Sequence, residues 1–306
     1  MMQARSGILT LAALAALACS PDDQPGLWDA IDVSGDTAGT DWQWDAPADT
    51  PGDLPPEVPD AADVQDDVDC MQDIDLVFVL DVSTSMSWVL STLRDEIAQV
   101  WSYVESISDD PDFDPHFGLV VFVDDVQVTN SGLPYASASE LQAEFESWRA
   151  FCSTNAQPGG SGCTNQDCPE NTLDALAAAA DGFQWREGAL HVAILATDDT
   201  FKEAPDSLCS PFAPSIAVNH TYTEAVVKLI DGEIRVGTFA AHSSSACSIP
   251  ADKEPGFFAP WNGQPPIPQQ TGSQVWDLSQ VQSGTISLTE AVQGFVLEEW
   301  CTDFLI

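Results

Sequence analysis

The sequence predicts an α/β fold in which a doubly wound, mainly parallel sheet carries helices on both faces. After residue 70, short apolar runs rich in β-branched and aromatic residues alternate with segments whose apolar residues recur at helical spacing. This alternation is typical of parallel strands joined by crossover helices, which cover both faces of the sheet. Polar residues directly follow two of the apolar runs, at Asp81 and Thr197, where open α/β sheets bind their ligands.

Each predicted strand is an apolar run bounded by polar or turn-forming residues. The strands cover residues 74–80, 117–123, 189–196, 234–240 and 275–278, with residues 126–129 as the hairpin partner of the second.

The predicted helices have apolar residues along one face. In residues 88–107, for example, Leu90, Leu93 and Ile97 follow one another at helical intervals. The other predicted helices cover residues 140–151, 172–184, 215–230 and 288–300. Residues 159–162 and the Pro-rich residues 250–270 are predicted to be loops, the latter on the surface. These elements together predict one α/β domain over residues 70–306.

The N-terminal residues predict export. Residues 1–19 contain one Arg and an apolar stretch too short to span a bilayer, which is typical of a signal peptide. The segment Ala16-Leu17-Ala18-Cys19 resembles the lipobox of bacterial lipoproteins, which implies a lipid anchor on Cys19. Ser20 after that Cys favours the outer membrane, and ordinary signal cleavage nearby is the alternative. Residues 20–69 contain no Lys or Arg and many Asp and Pro, so we expect a disordered, acidic tether.

The charge of the chain argues against nucleic acid as a partner. Eight Lys and Arg stand against 49 Asp and Glu, giving a formal net charge of −41. Because nucleic-acid binding depends on basic side chains that neutralise phosphates, cations and basic surfaces are better partners.

Export also favours disulfides. Without Cys19, an odd set of cysteines remains, which predicts three bridges and one free thiol: Cys70, Cys152, Cys163, Cys168, Cys209, Cys247 and Cys301. A bridge between Cys70 and Cys301 would join the two ends of the domain.

Oxygen donors follow the ends of two predicted strands and precede one predicted helix. Asp81, Ser83 and Ser85 come after the first strand, and Asp198 comes after the strand at 189–196. A loop before the helix at 172–184 adds further oxygens. Carboxylates and hydroxyls are ligands of hard divalent cations, so these segments predict a metal site at the edge of the sheet.

This pattern resembles the von Willebrand factor A domain, and most closely the A-like domain of integrin β chains. The resemblance rests on Asp81-x-Ser83-x-Ser85, Pro169-Glu170 and Thr197-Asp198 in this order. It implies a metal ion-dependent adhesion site that holds Mg²⁺ or Mn²⁺ through Asp81, Ser83, Ser85, Asp198 and a further ligand. That ligand is either Glu170 or Thr172.

The same resemblance implies a neighbouring Ca²⁺ site. Its ligands would be Asp124, Asn165, Asp167, the carbonyl oxygen of Pro169, and Glu170, which both sites would share. The chain departs from the family at Ser87-Trp88-Val89, where integrin β chains carry acidic residues for a third metal, and at Asp199, where many members have Gly.

The predicted function is non-enzymatic. Ser83 and Ser85 are neutral donors, so a bound metal would keep positive charge for a carboxylate offered by a protein partner. One alternative is a structural module of the cell envelope stabilised by Ca²⁺ without metal-mediated adhesion. A hydrolase is a weaker alternative, because the segment Gly160-Ser161-Gly162 does not lie between a strand and a helix as a nucleophile elbow does.

Overall fold

A six-stranded sheet forms the centre of the structure, a computed structural model that describes residues 73–108, 110–165, 168–209, 215–242 and 252–300. All of these residues belong to the unit Gln65–Ile306. The predicted signal peptide with Cys19, the predicted tether and the predicted bridge between Cys70 and Cys301 lie outside the described residues.

The sheet is mainly parallel, as predicted. The strands are β1 (Ile74–Asp81), β2 (His116–Phe122), β3 (Val126–Val128), β4 (Leu190–Thr197), β7 (Ile234–Ala240) and β8 (Val275–Asp277), and a separate pair consists of β5 (Ser207–Leu208) and β6 (Ile216–Ala217). The order in the sheet is β3-β2-β1-β4-β7-β8. Only β3 runs antiparallel within this sheet, as the predicted hairpin partner of β2.

Helices cover both faces of the sheet, so the doubly wound arrangement is confirmed. They are α1 (Ser87–Glu105), α2 (Ala138–Cys152), α3 (Thr172–Gly182), α4 (Tyr222–Asp231), α5 (Ile267–Gln270), α6 (Leu278–Gln282) and α7 (Leu288–Glu299). Leu76 and Phe78 of β1 belong to the core cluster formed with α1, α2 and α7. Val77 and Val79 belong to the cluster formed with α3 and α4, because successive residues of a strand point to opposite faces.

The helix predicted over residues 215–230 was wrong in its first part. Strand β6 occupies Ile216–Ala217, and α4 begins at Tyr222. The Thr221 side chain accepts a hydrogen bond from the backbone of Glu224, and the Glu224 side chain accepts one from the backbone of Thr221. This capping box satisfies backbone donors at the first turn and fixes where the helix starts.

The prediction of a plain surface loop over residues 250–270 was also wrong for its described part. Phe257 and Ile267 are buried, and the segment includes α5. Their apolar side chains join the core cluster on the α3 and α4 face, so the segment is a packed cover over that face. Among the described residues, no helix is both long enough and apolar enough to cross a membrane.

Candidate metal centre

Asp81 lies at the end of β1, at the edge of the sheet where β4 also ends. The register pairs Leu80 with Ala196, so the residues after the two strands are neighbours. The Asp81 side chain is fully buried and accepts two hydrogen bonds, from the Ser83 backbone N–H at 2.8 Å and from the Thr197 hydroxyl at 2.9 Å. The parallel pairing of the strands therefore fixes the position of this carboxylate.

Ser83, Ser85 and Asp198 are linked to one another by their side chains. The Ser83 and Ser85 hydroxyl oxygens are 3.1 Å apart, and the Ser85 hydroxyl donates to Oδ1 of Asp198 at 2.9 Å. Ser85 lies in the short helical turn Thr84–Met86, which leads directly into α1. The structure thus brings together four of the predicted ligands from two separate loops.

The third loop with oxygen donors contains Glu170 and leads to Thr172, the first residue of α3. The Glu170 backbone N–H donates to the carbonyl of Thr200 at 2.8 Å, which joins this loop to the residues after β4. Both side chains are buried, with 1% of Glu170 and none of Thr172 exposed. Their local position follows from the start of α3 at Thr172.

Two oxygens of this third loop are buried without a hydrogen-bond partner in the described part of the chain. They are Oε2 of Glu170 and the hydroxyl oxygen of Thr172. Buried polar atoms in folded proteins almost always have a partner, so these two oxygens are available as ligands of a bound ion. The donor set contains carboxylate and hydroxyl oxygens only, which suits Mg²⁺, Mn²⁺ or Ca²⁺. The residues present therefore fit a hard divalent cation.

The carboxylates of this region also crowd one another. Burial, and then the charge of Asp198, raises the pKa of Asp81 to about 8. Burial, followed by the nearby charges of Asp81, Asp124 and Asp199, raises the pKa of Glu170 well above its ordinary value. A cation placed among these groups would favour their charged forms, because an opposite charge offsets both burial and mutual repulsion.

The residues predicted for the Ca²⁺ site are only partly described. The Asn165 side-chain N–H donates to Oε1 of Glu170 at 2.9 Å, so these two predicted ligands are in contact. Asp124 is fully buried and near enough to raise the pKa of Glu170. Pro169 is half-buried and directly precedes Glu170, while Asp167 lies outside the described residues.

Asp124 has neighbours that the sequence did not indicate. Its Oδ2 accepts a hydrogen bond from the Gln157 side chain at 2.5 Å and lies 2.9 Å from Sγ of Cys209. Cys209 forms a disulfide with Cys163, whose sulfur is also close to Asp124. The three groups are close enough to surround a metal ion, but sulfurs joined in a disulfide are not thiolate ligands. No sequence motif marks Gln157.

Four of the seven cysteines in the predicted set lie among the described residues. Cys152 is free and buried, Cys163 pairs with Cys209, and Cys168 is also disulfide-bonded.

Lys253 is a further residue that sequence reasoning missed. It is 1% exposed, and its ammonium group lies 3.1 Å from Oδ1 of Asp199 and donates to the carbonyl of Asp198. Burial raises the pKa of Asp199 to about 6, although Lys253 acts in the opposite direction.

No known protein family matches the chain, and no curated protein matches it in sequence. Two solved structures show a distant similarity to the chain. An aerotolerance-related membrane protein from Bacteroides fragilis, carrying multiple mutations to serine, is 12% identical, with a TM-score of 0.43 over 74% of this chain and 99% of that one. A conserved hypothetical protein, BatB from Bacteroides thetaiotaomicron, is 12% identical, with a TM-score of 0.42 over 73% of this chain and 98% of that one.

Proposed function

We propose that this protein is a binding module of the von Willebrand factor A type that captures an acidic group of a protein partner through a divalent metal ion. The observation that carries the proposal is the convergence of oxygen donors from three separate loops at one edge of the sheet. Two of the buried donors, on Glu170 and Thr172, have no hydrogen-bond partner among the described residues.

Mg²⁺ or Mn²⁺, when bound, would supply a positive charge with an exchangeable position for a carboxylate. Ser83 and Ser85 would bind the metal as neutral hydroxyls and thereby leave it part of its charge. Asp81 and Asp198 would act through water, so that the metal keeps positive charge for the partner, and their hydrogen bonds with Thr197 and Ser85 hold them in place. Either Glu170 or Thr172 would complete the set, since both side chains are buried and the Glu170 carboxylate is near enough to Asp81 for their charges to interact.

A second cation is part of the proposal. Ca²⁺ would be held by Asp124, Asn165 and Glu170, with Asp167 and the carbonyl oxygen of Pro169. The contact between Asn165 and Glu170 supports this arrangement. It also favours one alternative function, a structural envelope module that needs only Ca²⁺, because the Glu170 carboxylate is already turned towards Asn165.

The location of the protein is proposed from its first residues. We infer that Cys19 carries a lipid anchor in the outer membrane and that residues 20–69 act as an acidic tether. A carboxylate-bearing protein would then be bound at a distance from the membrane, with no role for nucleic acid.

Titration of the full chain with Mg²⁺, Mn²⁺ or Ca²⁺ would test these proposals, with thermal unfolding as the measurement. We expect Mg²⁺ or Mn²⁺ to raise the Tm, since an ion that binds only the folded state stabilises it. Ser85→Ala should remove most of this rise. Ser91→Ala is a matched control, because the Ser91 hydroxyl donates only within α1, to the carbonyl of Ser87.

A rise in Tm with Ca²⁺ alone, insensitive to Ser85→Ala, would favour the structural alternative. No rise with any of the three ions would refute both proposals. Where Mg²⁺ or Mn²⁺ does bind, a pull-down from envelope extract with and without EDTA would identify proteins held through the metal.

A further inference from the structure

Lys253 is a buried lysine at the candidate metal centre, in a chain with only eight Lys and Arg. Lysine is almost never fully buried unless it is paired, because its charge is costly to remove from water. Here the ammonium group has two partners in the same turn, the Asp199 carboxylate at 3.1 Å and the Asp198 carbonyl. It therefore contacts the backbone of the residue whose side chain accepts from Ser85.

The segment that carries Lys253 is pressed against the chain just beyond this turn. The ring of Phe257 lies 5.5 Å from the ring of Phe201 in an edge-to-face contact. Gly256 has a φ of +89°, and a Cβ atom there would lie 2.5 Å from the Phe201 ring. Only glycine suits both this conformation and this approach, so the segment is fixed where Lys253 reaches the turn.

We propose that Lys253 is a positioning residue for the metal centre, an inference that rests on the proposed function. Its hydrogen bond to the Asp198 carbonyl fixes the backbone of the turn, and its ion pair with Asp199 holds the ammonium in place. The Asp198 carboxylate is thereby kept within hydrogen-bond distance of Ser85 before any ion binds. A ligand set held in advance binds its ion more tightly, because less ordering accompanies binding.

The charge of Lys253 acts in the opposite direction. A positive charge near a cation site weakens cation binding by Coulomb repulsion. If charge were the only effect, Lys253→Met would bind Mn²⁺ more tightly than the unaltered chain. If positioning dominates, the same variant binds Mn²⁺ more weakly, so the sign of the change separates the two effects.

Lys253→Met alone could fail to fold, since it removes the ammonium partner of the buried Asp199 carboxylate. The double variant Asp199→Asn/Lys253→Met avoids this problem, because it removes one charge of each sign and leaves the net charge of the chain unchanged. A change in its Mn²⁺ affinity beyond that of Asp199→Asn alone therefore reports the contact of Lys253 with the Asp198 carbonyl.

A second charge-neutral double variant serves as a control. Asp181 and Lys228 form an exposed ion pair at 2.7 Å between α3 and α4. Asp181→Asn/Lys228→Met makes the same chemical change there, away from the residues that contact Asp198. Its Mn²⁺ affinity should equal that of the unaltered chain.

The measurement is isothermal titration of the full chains with MnCl₂, alongside thermal unfolding in EDTA. We expect Asp199→Asn/Lys253→Met to bind Mn²⁺ about ten-fold more weakly, a typical loss when a residue behind a metal ligand is removed. Unchanged or tighter Mn²⁺ binding by this variant would refute the inference, and a lower Tm in EDTA with unchanged affinity would show a purely structural role. If the unaltered chain binds no Mn²⁺, the proposed function fails first, which is a different result.

Discussion

In the absence of divalent cations, the free energy of unfolding of this protein should decrease as the pH rises from about 5 to about 8. The reason is the Asp81 carboxylate, whose pKa is raised to about 8 by burial and by Asp198. An unfolded Asp has a pKa of roughly 3.9, so within this window the folded state binds a proton that the unfolded state does not. Stability must then fall as pH rises, since raising the pH removes a proton that only the folded state holds.

The size of this effect follows from the same two pKa values. Each pKa unit corresponds to about 1.4 kcal/mol, so Asp81 alone would contribute a loss of about 4 kcal/mol between about pH 5 and about pH 8. Glu170 acts in the same direction, because burial also raises its pKa. With saturating Mg²⁺ the dependence should flatten or reverse, because metal ligands bind in their deprotonated forms.

The assay is urea unfolding in EDTA at a series of pH values, for the unaltered chain and for Asp81→Asn. The variant cannot ionise at this position, so the part of the pH dependence that comes from Asp81 should disappear, while the part from Glu170 remains. Asp181→Asn is the control, since Asp181 is exposed and should leave the slope unchanged. A free energy of unfolding that stays level or increases from about pH 5 to about pH 8 in EDTA would refute the reasoning, as would an undiminished slope in Asp81→Asn.

Three further variants test individual contacts. Thr172→Val removes a buried hydroxyl that has no partner among the described residues, so stability in EDTA should stay equal or rise by about 1 kcal/mol while Mn²⁺ affinity falls. Ser85→Ala removes the hydrogen bond to Asp198 and should cost about 1 kcal/mol in EDTA, measured by urea unfolding. Cys163→Ala/Cys209→Ala opens a bridge that spans 46 residues and should cost about 4 kcal/mol by the loop-entropy estimate.

Each of these expectations can be contradicted. A loss of several kcal/mol in Thr172→Val would mean that its hydroxyl has a stabilising partner in the metal-free protein. An unchanged Mn²⁺ affinity in the same variant would leave Glu170 as the third ligand. A double cysteine variant as stable as the unaltered chain would show that the bridge does not constrain the unfolded state.

The order of strands and helices could be predicted because the apolar pattern of each element lies within its own segment of the sequence. The apolar runs of β1 and β4 are sufficient to predict strands. The polar residues that follow them predicted where the strands end. The prediction failed near Ile216, where a capping box at Thr221 determines the start of α4 more strongly than the apolar pattern does.

The candidate site was predictable to the extent that its residues lie in short motifs. Asp81, Ser83 and Ser85 are neighbours in the chain, and together with Glu170, Thr172 and Asp198 in sequence order they suggested a shared ion. Lys253 and Gln157 reach the site from distant loops, and a single residue in a loop carries no periodic signal. The pairing of Cys163 with Cys209 depends in the same way on the folded backbone, and sequence cannot give connectivity.

The hydrogen bond from the Glu170 backbone to the Thr200 carbonyl has a consequence for how the proposed site would respond to an ion. It joins the loop before α3 to the loop after β4, so these two donor loops should move together. The turn after β1 is the third donor loop, and its Ser85 hydroxyl already contacts Asp198 in the loop after β4. Little of the binding free energy of a cation would then be spent on ordering the donor loops.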